Sequence, residues 1–196
     1  MYNADIRVIK DAGKNKLTVN GVHQSSQYIY TFWNYAVEHL HVTRRLSAKK
    51  IVVFGVAGGT IIHILSTVFP KAQIVGVDID AVMIELGMKY FGLRDIPNLR
   101  LITADARKFV RKSKEKYDVV VIDIYIARDL PDFLRDTKFL KEVRAMLSPH
   151  GYILMNYLRD GEYEEKVKDL EKKLHAIYSE VHHTNYLNNR FFLARK

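Results

Sequence analysis

Three aspartates come at, or just after, the ends of short apolar runs: Asp78, Asp105 and Asp123. If these runs form parallel strands, their carboxyl ends meet at one edge of a sheet, where open parallel sheets bind ligands. A carboxylate after the second strand can accept hydrogen bonds from both ribose hydroxyls. One after the third strand, at Asp105 beside Ala106, can accept a hydrogen bond from an adenine amino group. Asp78 could instead cap the next helix, but Asp80 is better placed for that role, so the pattern predicts an adenosine site.

A glycine-rich turn precedes these aspartates. Residues 53–60 are Val-Phe-Gly-Val-Ala-Gly-Gly-Thr, and Gly55, Ala57 and Gly59 form a Gly-x-Ala-x-Gly pattern between a predicted strand and a predicted helix. Glycine has no Cβ, so such a turn can be tight and can approach a ligand closely, although glycines also occur at these turns for packing alone. NAD is the alternative ligand. The turn lacks the Gly-x-Gly-x-x-Gly spacing and no second nucleotide-binding half follows, which argues against NAD.

Strands and helices alternate beyond residue 50. Apolar runs of strand length lie at residues 51–54, 74–77, 99–102, 117–122 and 152–155. Helical patterns lie at residues 60–69, 81–90, 106–112, 131–146 and 161–177. This alternation indicates a parallel sheet covered by helices on both faces. Two more strands, at 179–185 and 190–195, are joined by Asn188-Asn189, which predicts a hairpin and an antiparallel final strand. We therefore predict an α/β, Rossmann-like fold with a seven-stranded, mostly parallel sheet, similar to the class I methyltransferases, with the reversed strand at its edge.

The first 25 residues have a different pattern. Two short extended runs, each followed by turn residues, predict an N-terminal β-hairpin over residues 1–25. From Ser26 to His41 apolar residues recur at three- and four-residue steps, which predicts a helix. On that helix Tyr30, Phe32 and Trp33 could form the wall of a binding site, but their spacing favours a core or dimer face. Residues 26–196 are expected to form the Rossmann-like domain.

Composition excludes several classes of function. The 196 residues contain no cysteine, which excludes disulfides, thiolate metal sites and a cysteine nucleophile. The two histidine clusters, at 39–41 and 182–183, have no carboxylate at metal-ligand spacing, so we expect no metal site. No apolar run is long enough to span a bilayer, and no signal peptide is visible. We expect a cytoplasmic protein without a membrane partner.

The net charge is +9, from 31 Lys and Arg against 22 Asp and Glu. A basic balance raises the expectation of an anionic partner such as RNA. The charge is spread along the chain, however, and its densest stretch, residues 107–116, is predicted to be mostly the outer face of a short helix. A nucleic-acid partner therefore stays open but is not favoured over a small-molecule acceptor.

Five segments, in order, resemble motifs of the spermidine synthases. Residues 17–25 (Leu-Thr-Val-Asn-Gly-Val-His-Gln-Ser) resemble Leu-x-x-x-Gly-x-x-Gln-Ser, and residues 75–80 (Val-Gly-Val-Asp-Ile-Asp) resemble Val-x-x-Asp/Glu-Ile-Asp. Residues 103–109 resemble Gly-Asp-Ala-x-x-Phe, residues 117–123 resemble Tyr-Asp-Val-Ile-Ile-x-Asp, and residues 147–151 resemble Leu-x-Pro-x-Gly. The chain is thus similar to the spermidine synthase branch of the class I S-adenosylmethionine-dependent methyltransferase superfamily over most of its length.

The resemblance implies roles for individual residues. The donor-binding residues would come from the hairpin, the glycine turn and the strand ends: Gln24, Gly55, Ala57, Gly59, Asp78, Ile79, Asp105 and Ala106. Asp123 would face the reacting centre, where Asp123 with Tyr125 could orient or deprotonate a nucleophile. Asp123 could alternatively be a structural cap at the strand end. The donor would be S-adenosylmethionine or its decarboxylated form, and a homodimer is expected from the family.

Two departures bear on the reaction. Spermidine synthases have an aspartate in the glycine turn, where this chain has no acid, and a second aspartate three residues after the one matched by Asp123, where this chain has Ile126. A cationic polyamine needs several carboxylates or aromatic faces to replace its water. We therefore favour methyl transfer from S-adenosylmethionine to an unidentified acceptor. Aminopropyl transfer from decarboxylated S-adenosylmethionine and a non-catalytic nucleotide-binding or dimerisation module are the alternatives.

Overall fold

The N-terminal region is a three-stranded antiparallel sheet. The computed structural model describes residues 3–196, and its first strands are β1 (Ile6–Asp11), β2 (Lys14–Val19) and β3 (Val22–Ser25). Two-residue turns join them, and at Asn20-Gly21 both residues have positive φ, 49° and 76°, as a turn matched to strand twist requires. The predicted hairpin is confirmed, and the structure adds β3 as a third strand, which carries Gln24.

The main sheet has seven strands. They are β4 (Lys50–Phe54), β5 (Gln73–Asp78), β6 (Leu99–Thr103), β7 (Tyr117–Ile122), β8 (Leu147–Leu158), β9 (Glu180–Tyr186) and β10 (Asn189–Arg195). Their order across the sheet is β6-β5-β4-β7-β8-β10-β9, and β10 is antiparallel to both of its neighbours. The predicted α/β fold with a mostly parallel seven-stranded sheet is confirmed.

The predicted position of the reversed strand was wrong. It lies between β8 and β9, and β9 forms the edge. The order follows from burial: Phe191, Phe192 and Leu193 on β10 are 0% exposed, which requires cover from neighbouring strands and from both faces. By contrast, β9 has the sequence Glu-Val-His-His-Thr-Asn-Tyr with no fully buried residue, and a polar strand is suited to an edge.

Helices cover both faces of this sheet. They are α1 (Gln27–His39), α2 (Val42–Arg45), α3 (Thr60–Val68), α4 (Ala81–Tyr90), α5 (Ala106–Lys112), α6 (Thr137–Met146) and α7 (Tyr163–Ile177). Successive residues of β4 alternate between two cores: Ile51 and Val53 pack with residues of α1 to α3, and Val52 and Phe54 with residues of α5 to α7. The helix predicted at 131–146 is divided into a 3₁₀ turn and α6, since Asp136 between them has an extended ψ of 125°.

The N-terminal sheet lies over the carboxyl end of the main sheet. Leu17 and Val19 are buried with Met83 of α4, and Ala57 of the glycine turn packs against this small cluster. Central β4 pairs with β5 on one side and β7 on the other, so the helices that follow these strands diverge at this point. A crevice forms where such connections diverge, and in open α/β sheets ligands bind there.

Candidate functional site

The glycine turn forms one wall of the crevice. Gly55, directly after β4, has φ +91°, and a Cβ there would lie 2.0 Å from the backbone oxygen of Asp123. Gly58 would place a Cβ 2.6 Å from Ser25, and its backbone N–H donates to the Ser25 hydroxyl over 2.9 Å. Protein atoms therefore occupy the space that these missing side chains leave. Gly55 is needed for the close approach of the turn to the end of β7, and Gly58 is needed for the close approach of β3 to the turn.

A pocket of about 890 Å³ opens between this turn, the strand ends and β3. Nine of the ten residues predicted for the site line it: Gln24, Gly55, Ala57, Asp78, Ile79, Asp105, Ala106, Asp123 and Tyr125. The tenth, Gly59, lies behind the turn as the N-terminal cap residue of α3 and does not line the pocket. Residues separated by up to 101 positions in the chain thus meet around a single space of the size typical for small-ligand sites.

Asp78, at the end of β5, supports the glycine turn. Its Oδ2 accepts hydrogen bonds from the backbone N–H groups of Val56, over 2.8 Å, and Ala57, over 3.4 Å. Its Oδ1 accepts the N–H of Asp80, over 2.9 Å. Burial raises the pKa of Asp78, and these hydrogen bonds to the charged form lower it in part. Asp80, as predicted, caps α4 by accepting the N–H of Val82.

Asp105 has a structural role that the sequence analysis did not include. Its Oδ1 accepts the backbone N–H groups of Arg107 and Lys108, which caps α5. Its Oδ2 lies 2.8 Å from a guanidinium nitrogen of Arg107, and this side-chain hydrogen bond lowers the pKa of Asp105. The signal was present, because an aspartate directly before a helical run is a favoured cap. Contact with an adenine amino group stays a prediction, and it would use a carboxylate that already has these partners.

Asp123 lies on the floor of the pocket at the end of β7. Its Oδ1 accepts a hydrogen bond from Asn156, over 2.9 Å, and its Oδ2 accepts one from the indole N–H of Trp33, over 3.2 Å. Burial raises its pKa to about 6, although both hydrogen bonds lower it. A carboxylate with a pKa near neutrality is suited to receive a proton from a nucleophile.

A polar network connects Asp123 to Tyr125. Asn189, at the start of β10, donates to the Tyr125 hydroxyl over 3.0 Å and to Oδ1 of Asn156 over 2.8 Å. Asn156 in turn donates to Asp123. Burial raises the pKa of Tyr125 well above its usual value, so the phenol stays protonated. Within residues 3–196 this hydroxyl donates no hydrogen bond, so its proton is available to a ligand.

Sequence analysis did not identify Asn156, Asn189 or the contact made by Trp33. Asn156 follows the apolar run at 152–155, and a polar residue after a predicted parallel strand was a usable signal. Trp33 is 0% exposed, as expected for a core residue, and it also reaches Asp123. Asn189 had no signal, because its position depends on where β10 lies in the sheet.

The strap at residues 126–129 and aromatic side chains of α1 complete the pocket. Gln24 donates its side-chain amide to the backbone oxygen of Ala127 over 3.0 Å, which joins β3 to the strap. Tyr28 and Phe32 line the other side, with ring centres 6.4 Å apart. The Gln24 side chain therefore lies across the pocket and contacts the strap.

The described part of the chain holds no group of three or more His, Cys, Asp or Glu side chains able to bind a metal ion. Across residues 3–196, no helix has the length and apolar character needed to cross a membrane.

The seven-stranded Rossmann-like sheet and the crevice at its carboxyl end have the architecture of the class I methyltransferase domains. A family model described as "Methyltransferase domain" matches residues 47–191, and the chain belongs to this family. The similarity to spermidine synthases is also confirmed.

Among curated proteins, the chain is 28% identical over 111 residues to the polyamine aminopropyltransferase of Vibrio vulnificus, covering 55% of this chain and 37% of the relative. It is 27% identical over 143 residues to the eEF1A lysine and N-terminal methyltransferase homolog of Drosophila melanogaster, covering 67% of this chain and 21% of the relative. The chain thus spans well under half the length of these relatives.

Solved structures share the fold. A probable spermidine synthase from Corynebacterium glutamicum superimposes with a TM-score of 0.81 at 17% identity, over 97% of this chain and 76% of that one. Human methyltransferase-like protein 13 in complex with SAH superimposes with a TM-score of 0.71 at 20% identity, over 82% of this chain and 80% of that one.

Proposed function

We propose that this domain binds S-adenosylmethionine in the 890 Å³ pocket and transfers its methyl group to a nucleophile placed at Asp123. One observation carries the proposal: a single pocket holds Asp78 from the end of β5, Asp123 from the end of β7, and the glycine turn between them. This arrangement supports the proposal, because Asp78 would then bind the ribose and Asp123 would accept the proton within one pocket.

The pocket wall fits an adenosyl donor. Asp78 would accept hydrogen bonds from the ribose hydroxyls with the lone pairs that the glycine turn leaves unused. Ile79 and Ala106 offer apolar contacts to the adenine, and Asp105 lies beside them to accept from its amino group. The human structural neighbour was crystallised with SAH, the product form of this donor, which supports the same choice of ligand.

The residues around Asp123 fit a transfer between positioned groups. When bound, S-adenosylmethionine supplies a methyl group on a positively charged sulfur, which leaves with the bonding electron pair as a neutral thioether. Asp123 would hold the nucleophile in line with that carbon and receive its proton on a carboxylate oxygen. Tyr125 would donate its free O–H to the acceptor and so orient it. Strap residues 126–129 and the N-terminal sheet would exclude water.

Acid content supports methyl transfer over aminopropyl transfer. The turn from Gly55 to Thr60 has no carboxylate to pair with the amine of a decarboxylated donor. The other acid near the acceptor end, Asp160, already accepts from Asn188 over 2.8 Å and pairs with Arg128 at 3.5 Å. Aminopropyl transfer is the second candidate, because the curated relatives include a polyamine aminopropyltransferase.

The covered shape of the pocket supports a small-molecule acceptor. Beneath β3 and the strap, a compact molecule reaches Asp123 more readily than a segment of a folded protein does. By likeness to the spermidine synthases, the proposal also includes a homodimer in the cytoplasm. Light scattering on the purified protein tests the dimer.

Calorimetric titration tests the donor. S-adenosylmethionine, its decarboxylated form and methylthioadenosine are each titrated into the wild-type protein and into Asp78→Ala. We expect the intact donor to bind best and Asp78→Ala to lose at least about tenfold in affinity, as expected for a lost hydrogen bond to a charged group. Preference for the decarboxylated form would favour aminopropyl transfer. No binding of any of the three would refute both and leave a non-catalytic module.

A further inference from the structure

A second cleft, of about 800 Å³, adjoins the donor pocket. It lies between β6, α5 and the segment that leads into β7, and it shares Ile79, Ala104 and Asp105 with the pocket. It is therefore next to the proposed adenine end and not next to Asp123. The proposed transfer uses only two residues of this cleft, Ile79 and Asp105, which it shares with the pocket.

Although Asp105 and Glu115 also line the cleft, three of its lysines have no carboxylate partner within the described residues. Lys108, Lys112 and Lys114 line it, and within residues 3–196 none of their ammonium groups has an ion pair or a hydrogen bond. Arg100 also lines it, but its carboxylate partner Glu115 is 3.9 Å away and is already held by a lysine at 3.1 Å. Like charges one helical turn apart repel, so folding alone gives no reason for this arrangement.

The basic character continues beyond the cleft. Residues 100–116 contain seven Lys and Arg and two Asp and Glu, which is five of the nine net positive charges of the chain. Arg107 and Arg111 lie on the same helix but are held by carboxylates, Arg107 by Asp105 at 2.8 Å and Arg111 by Glu142 at 3.3 Å, so the unpaired positive charge is that of the lysines. Lys108 and Lys112 are about 6 Å apart along the helix axis, from four residues at 1.5 Å each. Such a row of positive charges is longer than a single phosphate needs.

The other groups in the cleft fit a sugar-phosphate chain. Phe109 adds an aromatic surface, and the Glu115 carboxylate can accept from a ribose 2′-hydroxyl.

We infer that this cleft binds the phosphate backbone of single-stranded RNA. Lys108, Lys112 and Lys114 contact successive phosphates. The binding is separable from donor binding, because none of the three lysines lines the donor pocket.

Fluorescence anisotropy with a labelled 12-nucleotide RNA of mixed sequence tests the inference. Each phosphate contact on a single strand contributes about −0.7 to the slope of log affinity against log salt concentration. At 0.1 M salt, losing one such contact therefore weakens the affinity about fivefold relative to 1 M salt as the reference. Lys108→Gln/Lys112→Gln should therefore weaken binding about 25-fold and reduce the slope by about 1.4. The matched control, Lys71→Gln/Lys172→Gln, removes the same charge from exposed lysines outside the cleft and should change affinity less than about threefold.

Three results would overturn the inference: no binding of the RNA, equal loss in the control variant, or equal binding of the deoxy oligonucleotide. Tripolyphosphate is added as a competitor. If the protein binds tripolyphosphate but not the RNA, the cleft is a site for small anions and the inference is overturned. Asp78→Ala should keep full RNA affinity, which distinguishes failure of this inference from failure of the donor assignment.

Discussion

The unfolding free energy of the wild-type protein without ligand should fall between pH 4.5 and pH 8 as Asp123 ionises, and Asp123→Asn should remove this part of the fall. In the fold, burial among Trp33, Asn156 and the pocket wall raises the pKa of Asp123 from 3.8 to about 6. One unit of pKa shift corresponds to about 1.4 kcal/mol. Ionising Asp123 is therefore about 3 kcal/mol less favourable in the folded than in the unfolded protein.

The sign follows from the direction of the shift. Folding raises the pKa of Asp123, so the folded protein holds this proton more tightly than the unfolded chain does. The contribution of Asp123 to the unfolding free energy is therefore fully present below pH 3.8 and is lost as pH rises through about 6. Between pH 4.5 and pH 8 the wild type should lose about 2 kcal/mol through this residue. Asparagine does not titrate, so the variant should gain about that much relative to the wild type over the same interval.

Urea unfolding at pH 4.5, 6 and 8 measures both proteins. The substitution also changes the hydrogen bonds to Trp33 and Asn156, at a cost that does not depend on pH. That cost cancels when the difference in unfolding free energy between the two proteins is compared from one pH to the next. Parallel curves for wild type and variant would refute the claim that burial raises the pKa of Asp123.

Asp132 offers a control of opposite sign. It is exposed and lies 2.8 Å from Arg135, whose side-chain hydrogen bond lowers the pKa of Asp132. A lowered pKa gives stabilisation that is present at neutral pH and lost as pH falls through the folded pKa. Asp132→Asn should therefore be less stable than wild type at pH 8 and should approach it in acid.

Three further substitutions test the site. Gly55→Ala should destabilise the protein by about 3 kcal/mol or more, because the new Cβ meets a backbone oxygen at a φ of +91°, and a thermal midpoint within a few degrees of wild type would contradict this. Asn156→Ala removes a hydrogen bond that stabilises the charged form of Asp123, so the pKa of Asp123 should rise by about 1 in a carbon NMR titration. An unchanged midpoint would show that this hydrogen bond does not set the pKa of Asp123. Tyr125→Phe should keep donor affinity within about twofold and lower kcat by about tenfold or more, and a parallel loss of both would assign Tyr125 to donor binding instead of acceptor orientation.

The arrangement of helices and strands was predictable from local pattern. Runs such as residues 119–122 are apolar at every position, which only a strand covered on both faces tolerates, and the structure buries all four at 0% exposure. The same reasoning places Asp78 and Asp123 at strand ends, and in the structure these two ends flank β4 and both residues line one pocket. The order of β9 and β10 was mispredicted although their polarity differs, because a hairpin signal does not say which arm pairs with the rest of the sheet.

The surroundings of each site residue were decided by tertiary structure. Trp33 lies 90 positions before Asp123 in the chain, and Asn156 lies 33 after it, yet both donate to the same carboxylate. Asn189 joins them only because β10 inserts beside β8. The sequence by itself determined which residue types stand at the strand ends, since burial periodicity is a local property. The pKa of Asp123 and the missing counter-charges around Lys108 in the described structure depend on long-range packing, because desolvation and hydrogen bonding are set by whatever the fold brings within a few ångströms.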